Sequence, residues 1–248
     1  MVRIGALICV VLLLGVFPAL CQPLVLIDQG HGQRFLIEET GDLQLSGLAE
    51  MLRLSGNTTV STTKPLTDSL LQDAAALVIS GAFRPIAAEE VASIVRFVER
   101  GGRLAVMLHI GSPFARLLEQ LGVDFSNAVL HEQRNTIDQD INFRLHDLAS
   151  DPLFGGLDSF ALYGGWALNP GPGVAVLART SEQAWVDLDG SKTLTKGDAV
   201  GAFPVVVSGR KGAGSFIVFG DDAIFQNRYL DQNNRRLAGN LGGWLAGR

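Results

Sequence analysis

The chain has 248 residues, of which 47% are hydrophobic and 18% charged, with a formal net charge of −5 at pH 7. This is the composition of a globular protein long enough to bury a sizeable core, and it excludes a disordered chain. The acidic balance argues against a nucleic-acid partner, whose phosphates demand a basic face.

The N-terminus has a short basic start at Val2-Arg3, an apolar run from Ile4 to Val16, and a helix-breaking Pro18. Ala19-Leu20-Cys21 then places small residues at −3 and −1 of a cut before Gln22, the pattern of a secretory signal. Residues 1–21 are therefore expected to be removed and 22–248 to form one domain, exported to the periplasm or the extracellular space. Two alternatives are an uncleaved anchor through residues 4–20 and lipidation of Cys21. The first leaves little tether before the first strand, and Leu20 is large where a lipid-attachment site wants a small residue. The only cysteines, Cys9 and Cys21, fall inside the segment to be removed, so the mature chain holds neither disulfide nor thiol nucleophile.

Leu24–Asp28 reads as a first strand, followed by the Gly-rich turn Gln29-Gly30-His31-Gly32. An amphipathic segment from Leu43 to Ser55 carries Leu48, Met51 and Leu52 on one face and stops at Gly56. Thr58–Thr62 is β-branched, and Ala75–Ile79 is a wholly apolar strand ending at Ser80-Gly81. After Pro85 a helix places Val91, Ile94, Val95 and Val98 at i, i+3, i+4 and i+7, and Gly101-Gly102 closes it. A fourth strand runs from Arg103 to His109. Ser112 as N-cap and Pro113 at N1 then open a helix through Leu117, Leu118 and Leu121, stopped by Gly122.

This alternation predicts a doubly wound, mostly parallel, flavodoxin-like α/β sheet. From about 123 to 210 the pattern changes to short β-like pieces (174–177, 184–188 and 203–207) between Gly, Pro and Asp turns, read as an antiparallel β-rich insertion or extension. The parallel pattern resumes at Ser215–Phe219, and a last helix near Gln232–Leu245 buries Leu237, Leu241 and Trp244.

Open α/β sheets bind ligands at the carboxyl ends of their parallel strands. The ligand-binding candidates are therefore Asp28, Gln29, His31, Ser80, His109, Asp221, Asp222 and Asn227. Asp28, His31, Asp221 and Asp222 have the chemistry of a hard-metal or general-base site. In the structural alternative, Asp28 hydrogen-bonds the Gly-rich loop and Asp221 or Asp222 caps the following turn. No ligand spacing is diagnostic. A divalent metal is the one cofactor this chemistry admits, and none is otherwise expected.

Other motifs are weaker. The Gln29–Gly32 turn could offer backbone N–H groups to an anion, but it lacks the spacing of a dinucleotide or phosphate loop. Asp187-Leu188-Asp189-Gly190 resembles the start of a calcium loop, yet Lys192 stands where that loop needs Gly, so a hairpin turn is the better account. Trp166 and Trp185 could stack on a sugar or base, although aromatics in β segments more often pack in the core. Asn57-Thr58-Thr59 is a glycosylation acceptor pattern, and no Gly-x-Ser-x-Gly elbow is present.

Three segments carry a family resemblance: Leu77–Gly81; Phe97-Val98-Glu99-Arg100-Gly101-Gly102-Arg103-Leu104; and Phe219-Gly220-Asp221-Asp222-Ala223-Ile224-Phe225-Gln226-Asn227, with Asn240 and Trp244-Leu245. On these, over Pro23–Leu121 and Ser215–Leu245, the chain resembles the class I glutamine amidotransferase-like superfamily. Within it, the chain is most similar to an uncharacterised exported family related to the auxiliary domain of gliding-type ABC transporters. The resemblance places His109 where the enzymes keep their nucleophilic cysteine. Their His-x-Glu pair is also missing, since His131 and Glu132 are adjacent. Glutaminase activity is therefore not expected.

The leading expectation is an exported, non-catalytic binding or assembly module, whose partner is an envelope protein, a membrane transporter component or a small polar ligand. The alternatives are a metal-assisted hydrolase of a small polar ligand or sugar using the rim carboxylates and histidine, and a structural envelope scaffold.

Overall fold

A computed structural model describes residues 22–248. The expected signal segment, both cysteines and both modes of membrane attachment lie outside the described residues. Among these residues no helix is long and apolar enough to cross a membrane.

In chain order the elements are β1 (Leu24–Asp28), α1 (Ser46–Leu54), β2 (Thr58–Thr62), α2 (Asp68–Leu71), β3 (Ala76–Ser80), α3 (Ala88–Glu99) and β4 (Arg103–Met107). Next come α4 (Ala115–Leu121), β5 (Val123–His131), β6 (Asn142–Leu145), β7 (Asp147–Leu148), β8 (Phe160–Tyr163), β9 (Trp166–Pro170) and β10 (Val174–Arg179). The chain ends with β11 (Trp185–Val186), β12 (Ala199–Val200), β13 (Pro204–Lys211), β14 (Gly214–Phe219) and α5 (Gln232–Leu245).

The main sheet has eight strands in the order β2-β1-β3-β4-β14-β13-β10-β7. The first five are parallel, and β14, β13, β10 and β7 then alternate in direction. This is a flavodoxin-like α/β fold whose antiparallel region partly extends the main sheet. The rest of that region forms a four-stranded sheet, β12-β11-β5-β9, and the pair β6-β8.

The alternation of side chains along the parallel strands divides the core into two layers. Val25, Ile27, Val78, Met107 and Phe219 face Leu48 and Leu52 of α1 and Leu237 and Leu241 of α5. Leu26, Leu77, Ile79, Val106 and Val218 face Val91, Ile94 and Val98 of α3 and Leu117, Leu118 and Leu121 of α4. Each such side chain removed from water contributes about 1.5–3 kcal/mol before chain entropy is counted.

The expected helices form, although α1 begins at Ser46 rather than Leu43 and Trp244 of α5 is only partly buried; the helix after β4 needs a further correction. Residues Ser112–Phe114 form a 3-10 turn in which Ser112 is the first member rather than the N-cap, and no side chain caps it. Pro113 still stands in the first turn, where a missing N–H costs nothing, and Gly122 ends α4 at φ 69°.

Candidate functional site

The strand order reverses between β1 and β3, so the carboxyl ends of β1, β3, β4 and β14 share one rim. The sequence candidates on that rim divide into two separate carboxylate–imidazole groups.

The first is built on β1. Asp28 is buried at its end, its Oδ1 accepting from Gly30 N at 3.0 Å. Its Oδ2 meets His31 Nδ1 at 2.8 Å and accepts from Gln33 Nε2 at 2.6 Å. The other ring nitrogen of His31 lies 3.2 Å from Glu90 Oε2, in the first turn of α3. Glu90 also accepts from the N–H groups of Leu66 and Ala87. Burial works against a charged His31, but the hydrogen bonds and charges of Asp28 and Glu90 outweigh it and hold its pKa above 6.5. Gln33 Oε1 occupies the His31 amide at 2.7 Å. The amides of Gly30 and His31, which could have cradled an anion, are therefore engaged by the protein's own side chains.

The second group spans four strand ends. His109, just beyond β4, places Nδ1 3.0 Å from Asp222 Oδ1, just beyond β14. Phe35, from the loop after β1, meets the imidazole edge-on at 5.1 Å between ring centres. Phe83, from the loop after β3, lies against it at 4.9 Å. The two loops are tied together because the carbonyl of His31 accepts from the N–H groups of both Phe83 and Arg84. Arg34 sits over the Phe83 ring, and the indole N–H of Trp166 fixes the His109 carbonyl at 3.0 Å. The His109 side chain is 36% exposed while that of Asp222 is 1% exposed, and Nε2 of His109 makes no hydrogen bond among the described residues.

The hydrogen bond that His109 Nδ1–H donates to Asp222 raises the His109 pKa against the opposing effect of burial, and the charges of Asp222 and Asp221 add to it. Burial in turn pushes Asp222 up, a shift that the bond to His109 resists. Among the described residues Asp222 Oδ2 has no hydrogen-bond partner, and neither has the buried hydroxyl of Ser80. Gly81, at φ 59°, packs against that same carboxylate oxygen, where a Cβ would collide with it.

The remaining candidates are engaged elsewhere. Asp221 accepts from Tyr163 N at 2.7 Å and Ala223 N at 2.8 Å, the turn-capping role; burial and the charge of Asp222 push it up to about 8. Gln29 bridges Glu38 and Ile37. Asn227 accepts from Gly47 N and donates to Gly41 O and Ser46 Oγ, which anchors the start of α1 rather than facing the rim. Asp28, His31, Asp221 and Asp222 thus do not converge on one point. Among the described residues, three metal-type ligand atoms come together only at Asp187, Asp189 and Asp198. There they accept backbone and hydroxyl hydrogen bonds that shape the loop joining the β11–β12 hairpin.

Phe35, Phe83 and Glu90 were absent from the sequence candidates. A phenylalanine in each of two strand-end loops, where polar and small residues are the rule, is the signal that could have found the first two. A glutamate three residues past the N-cap position Ala87 could have found the third.

The family model described as a domain of unknown function, DUF4350, matches residues 38–241. The chain belongs to this family. No curated protein matches it. Among solved structures, the IFT52 N-terminal domain (mmIFT52) superposes with a TM-score of 0.72 at 18% identity, covering 90% of this chain and 97% of that one. The cytoplasmic protein STM1381 from Salmonella typhimurium gives 0.60 at 15% identity, covering 91% and 100%. A ThuA-like protein from Bacteroides uniformis gives 0.55 at 14% identity, covering 92% and 95%. At these identities the likeness concerns the fold alone.

Proposed function

We propose that this DUF4350 protein is an exported, non-catalytic binding module that recognises its ligand at the strand-end rim. The observation that carries this reading is the His109–Asp222 pair. A half-exposed imidazole is held through Nδ1 by a buried carboxylate and walled by two phenylalanine rings, with Nε2 left for a ligand. A raised pKa favours the charged ring, so the complementary group is a hydrogen-bond acceptor on a small polar molecule or on a partner's side chain. Phe35 and Phe83 would receive the apolar part of the same ligand.

The resemblance to the glutamine amidotransferase-like superfamily supports the non-catalytic element of this reading. By that resemblance His109 would take the place of the family's cysteine, and residues 22–248 contain no cysteine at all. An imidazole there can accept or donate a proton but cannot form the thioester that the glutaminase route requires.

A second reading is a hydrolase in which His109 acts as general base on water. The favouring observation is the same buried carboxylate behind Nδ1, the arrangement that orients catalytic histidines. Metal assistance from the four rim residues finds less support, because their ligand atoms fall into two separate groups.

A thermal-shift screen of the purified protein against small carboxylates, amides, polyols and phosphates, run beside ammonia release from glutamine and an ester, phosphate and glycoside panel, distinguishes these readings. A compound that stabilises the wild type but not His109→Ala, with no turnover, is the expected result. Turnover abolished by His109→Ala would replace the binding module with the hydrolase. For export, N-terminal sequencing of the native protein should begin at Gln22.

A further inference from the structure

We propose that the antiparallel half carries a second ligand site, a neutral-saccharide pocket built on His131 and Trp166. The pocket is a cavity of about 690 Å³, within the range of small-molecule sites, and Ala128, Val129 and Ile141 supply its apolar surface. Trp166 lines it, while His109, Phe35 and Phe83 do not, and the proposal does not depend on the reading of the rim site.

His131 is the polar group that points to a ligand. The residue is 6% exposed, its Nδ1 is fixed by Asp140 Oδ2 at 2.9 Å, and its ring is stacked on buried Trp185 with centres 4.0 Å apart and planes 17° from parallel. It lines the cavity, and its Nε2 makes no hydrogen bond among the described residues. An imidazole clamped in this way is a preoriented partner: with Nδ1–H donating to Asp140, Nε2 is left to hydrogen-bond a ligand hydroxyl, which can either donate to it or accept from it. Trp166 is half-buried, and its own N–H is engaged by the His109 carbonyl, so what it offers the cavity is aromatic ring surface.

The rest of the wall selects the class. Gln139 and Lys192 bring donors, and Asp140, Asp187 and Asp189 bring acceptors around the apolar surface. Three carboxylates against one ammonium repel phosphate and carboxylate ligands, nucleotides included. A neutral sugar ring has an apolar face for the indole and hydroxyls that both donate and accept, which matches this lining.

The test is a titration of the purified protein with maltotriose, cellotriose and tri-N-acetylchitotriose, following tryptophan emission and, in parallel, the His131 ring resonances by NMR. At least one of the three should produce a saturable emission change together with a shift of the His131 signals. His131→Gln and Trp166→Ala should each weaken binding tenfold or more, while His109→Ala leaves it intact even if it abolishes rim binding. No saturable response to any of the three, or binding that does not move the His131 resonances, would overturn the proposal. The NMR readout on the unaltered protein keeps the test decisive if Trp166→Ala does not fold.

Discussion

The imidazole of His109 and the carboxylate of Asp222 meet at 3.0 Å across the carboxyl ends of β4 and β14, one partly open to solvent and the other sealed beneath it. The bond fixes the ring's orientation and raises its pKa. Asp222→Asn keeps the volume but removes the charge, so the His109 pKa should fall toward or below 6.5. An NMR titration of the ring C–H resonances reads this directly; an unchanged midpoint would mean that Asp222 does not govern the ring.

Gly81 should not tolerate a side chain. Its φ of 59° is costly for an L-residue, and a Cβ would strike Asp222 Oδ2. Gly81→Ala is expected to destabilise the protein by about 1–3 kcal/mol and to shift the His109 titration, because the carboxylate must move. Urea unfolding and the same NMR experiment check both effects.

Stability should fall as pH rises from mildly acidic to alkaline. Asp221, pushed from 3.8 up to about 8, keeps a proton in the folded state that the unfolded chain has released, so the folded state binds more protons and stability declines between those values. His31 and His109 act in the same direction. Both are held above 6.5, so their stabilisation is complete below 6.5 and is lost as pH climbs through the raised values. Glu90 and Asp231, whose pKa values lie below their ordinary ones, lose their stabilisation on acidification instead. Their gain is complete just above 4.5, where the loss from Asp221 has already begun, so the maximum should fall at about pH 4–5. Urea midpoints across this range, with Asp221→Asn flattening the alkaline limb, test the sign.

Asn57 is a glycosylation acceptor in sequence only. It is 2% exposed, and its Nδ2 donates to Leu52 O at 3.0 Å and Gly242 O at 2.9 Å, joining α1 to α5. A glycan on that nitrogen is incompatible with the fold. Expressed through a eukaryotic secretory pathway, the folded, secreted fraction should show no glycan mass at Asn57, and Asn57→Ala should cost about 1–3 kcal/mol.

The parallel half was legible because its strands are short, mostly apolar or β-branched, and separated by segments with a 3.6-residue apolar period. Ala76–Ser80 and the Val91, Ile94, Val98 stripe are buried as the pattern predicts. The antiparallel half was less so, and β5 shows why: a register shift between Phe125 and Val129 interrupts the alternation that marks a strand. Phe160–Tyr163 is almost continuously buried and too short to show any period.

The site was legible as a set of strand ends, but its pairing was not. Asp28 with His31 is a local contact three residues apart, whereas His109 with Asp222 joins positions 113 residues apart. Only the 2-1-3-4 order of the first parallel strands, with β14 next to β4, brings that second pair together. Asn227 shares a segment with Asp222, yet the short 3-10 turns at Ala223–Phe225 and Asn227–Tyr229 carry it away to α1.

Crystals of the wild-type protein soaked with a fragment set of small carboxylates, amides and polyols test the central claim most directly. The account predicts fragment density bonded to His109 Nε2 between the rings of Phe35 and Phe83. Fragments that bind elsewhere on the protein while leaving His109 Nε2 without a contact would contradict it.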